Sequence, residues 1–300
     1  MALPGIDLRD PMKKSNVILQ LIALSVMSAS QIFAADHPIQ ATIAKPQVVN
    51  GDAVPKGKYK FMVALQREDI KSESHPYGHW CGGSLLTPKY VLTAAHCVTE
   101  EDDDDHITVI DAKLFTAIAG MTVYGLNQGQ TRRIKAIHVH PLYATGPADF
   151  AYDVAVLEMD EKVTGLPKVK MAAAEDDEPG PTPTVAGWGS IVAQYPDYQP
   201  DPNYPHEMRA VNLPLIEDVS CTSAYGELFD KDIQICAYRP ARGDCQGDSG
   251  GPLFKKSNGR FVQIGIVSWG VGCAALGKPD VYTRVSSPVI QDFVKSVIYP

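Results

Sequence analysis

Basic charge is in short supply in this 300-residue chain: 27 Lys and Arg stand against 35 Asp and Glu, a formal net charge of −8. Phosphate binding needs a basic surface, so the balance argues against a nucleic-acid partner. Long apolar runs are scarce too. Val17 to Val26 is apolar except for Gln20 and Ser25, too short for a membrane-spanning helix. No Cys-x-x-Cys pair occurs, which weakens a zinc-site reading. An internal repeat is missing as well. What is there is globular in composition, with 45% hydrophobic and 21% charged residues.

The short apolar run has a context. Met12-Lys13-Lys14 precedes it and small residues follow at Ser28, Ala29, Ser30, Ala34 and Ala35. This is the three-part form of a secretory signal peptide, with cleavage expected near Ala34 or Ala35. Residues 1–35 are therefore read as an N-terminal extension plus signal, the first eleven being an upstream start or an added extension. Export places the protein outside the cell, or in the periplasm in transit if the source is bacterial, with no membrane contact after signal removal. Six cysteines, an even number, fit three disulfides in an oxidising compartment, and spacing alone leaves fifteen pairings open.

From residue 48 onward the pattern is short strands rich in Val, Ile and aromatics, broken by turns. Strands are expected over 60–66, 83–86, 90–94, 107–109, 133–140 and 154–159, then over 184–187, 210–215, 233–237, 252–254, 263–268 and 279–285. Residues 172–184, rich in acid, Pro and Gly, read as a linker, and 289–298 keep helical spacing of apolar residues. The carboxylate runs at 100–105 and 175–178 read as solvated loops rather than a calcium site. His138 and His140 alternate along a strand, an ordinary placement.

Three segments carry chemistry. Thr93-Ala94-Ala95-His96-Cys97 sets a histidine beside a cysteine, Asp153 opens the apolar run Val154-Ala155-Val156-Leu157, and Cys245-Gln246-Gly247-Asp248-Ser249-Gly250-Gly251-Pro252 holds a serine in a glycine-rich turn. A serine hydroxyl needs an adjacent base, and the base an orienting carboxylate. Taken singly each piece is ordinary: Gly-Asp-Ser-Gly serves as a plain turn, a lone histidine is commonly structural, and Asp often starts a strand. Together, in the chain order His, Asp, Ser, they are specific. That order separates them from the lipase and esterase order.

On these motifs the chain resembles the trypsin/chymotrypsin-like serine proteases over about residues 48–300. The resemblance implies an all-β fold of two antiparallel six-stranded β-barrels packed together, about 48–172 and 184–286, with a C-terminal helix near 289–298. It implies a serine endopeptidase with catalytic His96, Asp153 and Ser249, with Ser268 bonding Asp153, and with the N–H groups of Gly247 and Ser249 as the oxyanion hole. It selects the pairings Cys81–Cys97, Cys221–Cys236 and Cys245–Cys273. No metal or cofactor is needed. Partners are protein or peptide substrates, an activating protease and, as an open question, protein inhibitors; a monomer is expected.

Two features depart from the family pattern. In the family a freshly cut N-terminus pairs with the aspartate before the serine; here these are Val48 and Asp248, behind a pro-segment at 36–47. The cut would follow Gln47 rather than Arg or Lys, so activation by another protease is expected. In the pocket, Gly243 stands where trypsins usually carry Asp, Asp244 follows it, and Asp280 replaces a wall glycine. Ser268, Trp269 and Gly270 supply the other wall. Some broad-specificity collagenolytic relatives look similar here. Two close acids repel, so one holds a raised pKa until a cation arrives. That favours Arg or Lys before the scissile bond, with tolerance for larger side chains. Were Asp280 to turn away, specificity would be chymotrypsin-like. A catalytically silent binding protein on the same scaffold is the remaining alternative. Residues 190–206, with four prolines and three tyrosines, read as a surface insert flanking the site on the side after the scissile bond.

Overall fold

The computed structural model describes residues 48–72, 75, 77–102, 106–177, 182–195 and 201–300. The expected signal and pro-segment, residues 1–47, lie outside them, as do parts of the first acidic run, the linker and the insert.

Six strands close the first barrel: β1 (Met62–Arg67), β2 (His79–Leu85), β3 (Tyr90–Thr93), β4 (Phe115–Ala119), β5 (Gln130–Val139) and β6 (Ala155–Met159), in the order β1-β2-β3-β6-β5-β4. Successive side chains on a strand point to opposite faces. In β1 both faces are buried, and the alternation sorts them: Val63 and Leu65 join the barrel core, while Met62 and Ala64 join a separate cluster with Phe61, Trp188, Met208 and Phe254. That second cluster draws on both halves of the chain, so it is the seam between the barrels.

The second half holds β7 (Thr184–Gly187), β8 (Arg209–Asn212), β9 (Gln234–Ala237), β10 (Pro252–Ser257), β11 (Arg260–Trp269) and β12 (Asp280–Arg284). Their order is β8-β7-β10-β11-β12-β9, and a bridge between Leu215 and Ala237 brings β9 back to the chain leaving β8. Two-residue strands at Asp52–Ala53 and Lys170–Met171 add to its edges.

Among the described residues, two α-helices complete the fold. α1 (Asp218–Tyr225) was not expected, because its sequence DVSCTSAY carries no apolar stripe; only Cys221 and Tyr225 are buried. α2 (Pro288–Ile298) begins with proline at its first position, where the missing N–H costs nothing. Ile290 and Val294, one turn apart, enter the core of the first barrel alongside Val154. The last helix thus fastens over the strand that begins at the aspartate. The strand β4 was also unforeseen, and the acidic run is partly strand, with Thr99–Glu101 pairing Ile107–Val109.

Polar bonds cross the seam. Ser84 Oγ donates to Gln263 Oε1 at 2.5 Å, and Gly82 N–H donates to Ser249 O at 2.7 Å. These hold the serine turn of the second barrel against β2 of the first. Disulfides join Cys81 to Cys97, Cys221 to Cys236 and Cys245 to Cys273. Each closes a loop of 15 to 28 residues, worth about 3 kcal/mol by unfolded-state entropy.

Candidate active site

His96 sits just past the end of β3, in a turn braced by the Cys81–Cys97 disulfide and by Trp80 Nε1–H bonding Cys97 O at 2.8 Å. Asp153 precedes β6 and is 0% exposed. Two residues before it are held in the left-handed region, Phe150 at φ 49° and Tyr152 at φ 55°. Non-glycine residues pay about 1–2 kcal/mol each for this conformation, so packing elsewhere must hold the approach to Asp153 in place.

Asp153 Oδ1 accepts from His96 N–H at 2.9 Å, and Oδ2 accepts from His96 Nδ1–H at 2.7 Å and from Ser268 Oγ at 2.6 Å. Because the carboxylate takes the Nδ1 proton, the neutral ring is left with a bare Nε2, the tautomer of a general base. Burial disfavours the charged ring, but the charge of Asp153 and its hydrogen bond outweigh this and raise the His96 pKa. Thr283 Oγ1 adds a 2.6 Å bond to Asp153 O from β12. Cys81 and Cys97 lie close to His96, but both are disulfide-bonded and offer no thiolate for a metal.

The serine turn depends on two glycines with positive φ, Gly247 at 91° and Gly250 at 75°. A Cβ at Gly247 would come within 3.1 Å of the Tyr204 ring and 3.3 Å of His79. His79 is buried, which pushes its pKa down to about 4. As a neutral ring it donates Nε2–H to Gly247 O at 2.9 Å, and Nδ1 accepts from Tyr124 Oη at 2.9 Å. The carbonyl of Gly247 is thereby fixed from behind. Among the described residues, the N–H groups of Gly247 and Ser249 donate no internal hydrogen bond. These two N–H groups are the ones that the family resemblance assigns to a developing oxyanion.

Asp248 is 1% exposed. Its carboxylate accepts Gly189 N–H at 2.9 Å and Cys245 N–H at 3.1 Å. A Cβ at Gly187 or Gly189 would collide with it. Burial, then the charge of Asp244, push its pKa to about 7. Val48 is fully buried as well, in the core of the second barrel.

Of the residues expected to line a substrate pocket, Gly243 and Gly270 flank the Asp280 carboxylate. A Cβ on Gly243 would meet Asp280 Oδ2 at 2.6 Å, and one on Gly270 would meet Oδ1 at 3.6 Å. The side chain therefore faces Gly243 rather than turning away. Tyr282, two residues along β12 and on the same face, donates to Asp244 Oδ2 at 2.5 Å. Trp269 packs edge-on against Tyr225 with centroids 4.7 Å apart, backing the wall. The Cys245–Cys273 disulfide ties the two walls together.

Four contributors escape the sequence motifs. The Phe150 ring lies edge-on to His96 with centroids 5.6 Å apart and is 42% exposed. His79 and Tyr124 support Gly247. The insert reaches further than a surface excursion: Gln194 pairs with Cys273 on the pocket wall through bonds of 2.8 and 3.2 Å, and Tyr204 packs on Gly247. Of these, Phe150, close before Asp153, and the insert, read from sequence as flanking the site, had a positional signal.

The comparisons with known proteins agree with this geometry. The Trypsin family profile matches residues 48–294. A relative named Serine protease 28, from Mus musculus, is 28% identical over 282 residues, covering 90% of this chain and 95% of its own. Trypsin of Saccharopolyspora erythraea is 32% identical over 246 residues, covering 80% of this chain and 94% of its own. Serine proteinase stubble of Drosophila melanogaster is 30% identical over 272 residues, 85% of this chain but 32% of that much longer protein. A profile that spans nearly the whole described region, on a barrel pair with buried His–Asp pairing beside a glycine-framed serine, makes this chain a member of the trypsin family and a serine-type endopeptidase.

Proposed function

We propose that this protein is exported as a zymogen and cleaves peptide bonds through Ser249, His96 and Asp153. The observation that carries the reading is the relay from Ser268 through Asp153 to His96, beside a serine turn bonded to the same barrel. Ser249 Oγ attacks the scissile carbonyl while His96 Nε2 takes its proton. The bond from carbon to nitrogen then breaks, His96 gives that proton to the leaving amine, and water releases the acyl group by the same steps. Charge on the tetrahedral oxygen falls on the N–H groups of Gly247 and Ser249. Labelling of the processed protein by a fluorophosphonate, lost with Ser249→Ala, tests this; full proteolysis by that variant rejects it.

Activation follows from the buried acid. Among the described residues Asp248 accepts from two amide donors and pairs with no cation. A cut between Gln47 and Val48 would supply an ammonium at an already buried residue. Neither Gln47 nor the Lys45-Pro46 bond suits a trypsin-like cut, so a second protease of different specificity is the activator. N-terminal sequencing of active protein tests this, and active enzyme starting elsewhere than Val48 contradicts it.

The pocket favours Arg or Lys before the scissile bond, with tolerance for larger uncharged side chains. Its support is the Asp280 carboxylate facing Gly243 at the pocket wall. Peptides differing only at that residue test it, and cleavage confined to aromatic sites rejects it. The active form acts as a monomer on protein substrates outside the cell; three disulfides fit that compartment.

A further inference from the structure

The acids Asp244 and Asp280 carry an inference that rests on the proposed pocket and goes beyond it. Asp280 is 6% exposed, with its carboxylate against Gly243. Gly243 is the chain neighbour of Asp244, and the Asp244 side chain is held at 2.5 Å by Tyr282, two residues along β12 from Asp280. The pair therefore shares one backbone step and one small volume.

The groups facing it are few. Tyr282 comes from β12, Asp248 from the serine turn, and Tyr225 from α1, its hydroxyl donating to Pro279 O at 2.5 Å. The nearest cations in sequence are Lys278, two residues before Asp280, whose ammonium lies 5.8 Å over the Tyr225 ring, and Arg242, two residues before Asp244, which lines a separate cleft with Asp52 and Arg239. Among the described residues no Lys, Arg or His forms an ion pair with Asp244 or Asp280. By contrast, Arg284 on the same strand is fully engaged elsewhere, with Asp177 and Asp218. Two adjacent carboxylates, Asp280 buried and Asp244 half-buried, with no paired cation retain a proton between them, because ionising both in so little solvent is costly. Burial raises the Asp244 pKa to about 6, and burial with the Asp244 charge raises Asp280 as well.

We propose that Asp244 and Asp280 act as one proton-exchanging specificity element, so that the class of side chain accepted before the scissile bond changes with pH. With the proton retained the pocket accepts uncharged side chains such as Leu or Phe. With it released the pocket accepts Arg or Lys.

The sign follows from linkage. A cationic side chain binds best to the pair carrying two charges, so its entry expels one proton to solvent. Its apparent affinity then rises with pH, by at most about tenfold per unit for one proton. An uncharged side chain strips water from the pair and binds best when the pair carries less charge, so its affinity falls over the same range. Both substrates are cleaved by the same Ser249 and His96. The ratio of their kcat/KM values therefore cancels the titration of the base and reports the pocket alone.

The test uses the secreted, processed protein, its active concentration fixed by fluorophosphonate labelling. Matched peptide amides carrying Arg or Leu before the scissile bond are compared from pH 5 to 9 at constant ionic strength. The Arg/Leu ratio should climb about 30-fold or more between pH 5 and 8, through KM, as a single-proton linkage allows. Asp280→Asn and Asp244→Asn, each close in volume to the native residue, should flatten the climb and lower the use of Arg. If one variant does not fold, the other and the wild-type profile still decide. A constant ratio with Arg cleaved throughout overturns the exchange and leaves the basic preference standing. A climb that survives in both variants puts the titrating group elsewhere and also overturns it. Cleavage after aromatic residues alone at every pH removes the basic preference itself.

Discussion

Asp153 and Asp280 are both buried carboxylates, one from each half of the catalytic region. Asp153 collects three donors, from His96 N–H, His96 Nδ1 and Ser268, and its neighbour in charge is an imidazole that can become cationic. Asp280 lies against Gly243 and feels the charges of two further acids, Asp244 and Asp248. The first is compensated within the fold. The second is left for something that arrives. A carboxylate that must orient a base at every turnover has to be satisfied beforehand. One that must distinguish substrates gains by being unsatisfied until the right one binds, since unpaired buried charge penalises the wrong guest.

The contrast breaks most sharply at Asp153. Asp153→Asn removes the acceptor for Nδ1–H and allows the wrong tautomer, and kcat should fall on the order of 10⁴-fold with KM little changed. Steady-state kinetics on one peptide amide measures it. Gly243→Ala attacks the other carboxylate sterically: its Cβ would stand 2.6 Å from Asp280 Oδ2. Cleavage after Arg should drop on the order of 10- to 100-fold as the acid is displaced, while cleavage after Leu drops less. Ser268→Ala deletes one donor to a buried charge, a loss of about 1.5–3 kcal/mol. It should lower kcat roughly tenfold and leave the Arg/Leu ratio unmoved, which separates the two sites in one measurement.

Two smaller effects depend on pH. The raised His96 pKa means the base is neutral only above the ordinary histidine range. The acid limb of kcat/KM for an uncharged substrate should therefore have its midpoint above about 6.5. Asp248 sets the other. In the uncut chain its pKa of about 7 exceeds the unfolded value of 3.8. The folded state binds the proton more tightly, so stability declines as pH rises from about 4 to about 7. A cut before Val48 supplies a cation and removes that decline. The gap in Tm between cut and uncut protein should thus be about 4 °C wider at pH 8 than at pH 5. Buried His79 shifts stability the opposite way in both forms and drops out of the difference.

The barrel strands were legible because alternation and turn residues are local: β3, β6 and β7 were placed to within a residue or so. The helix α1 was not, since its burial rests on a disulfide and one aromatic rather than on a stripe. The strand β4, FTAIA, alternates, but too briefly to stand out from its loop. At the site, glycine-framed Ser249 and the residue types around His96 and Asp153 carried their own signal. The support of Gly247 by His79 and Tyr124 did not, because those residues are 168 positions and more than a hundred positions away in sequence. The docking of Gln194 on Cys273 was hidden for the same reason, a backbone pairing that depends on where a long loop lands.

With His96, Asp153 and Ser249 as the proposed reacting groups, their placement on separate barrels has a consequence for the cell that makes this protein. His96 and Asp153 belong to one barrel and Ser249 to the other, joined through Gly82, Ser84 and the aromatic seam. A chain that has emerged only halfway from the ribosome owns a base without a nucleophile. One that comes apart at the seam parts the two again. On that assignment, peptide cleavage waits until both barrels are assembled, and a copy whose barrels separate loses it.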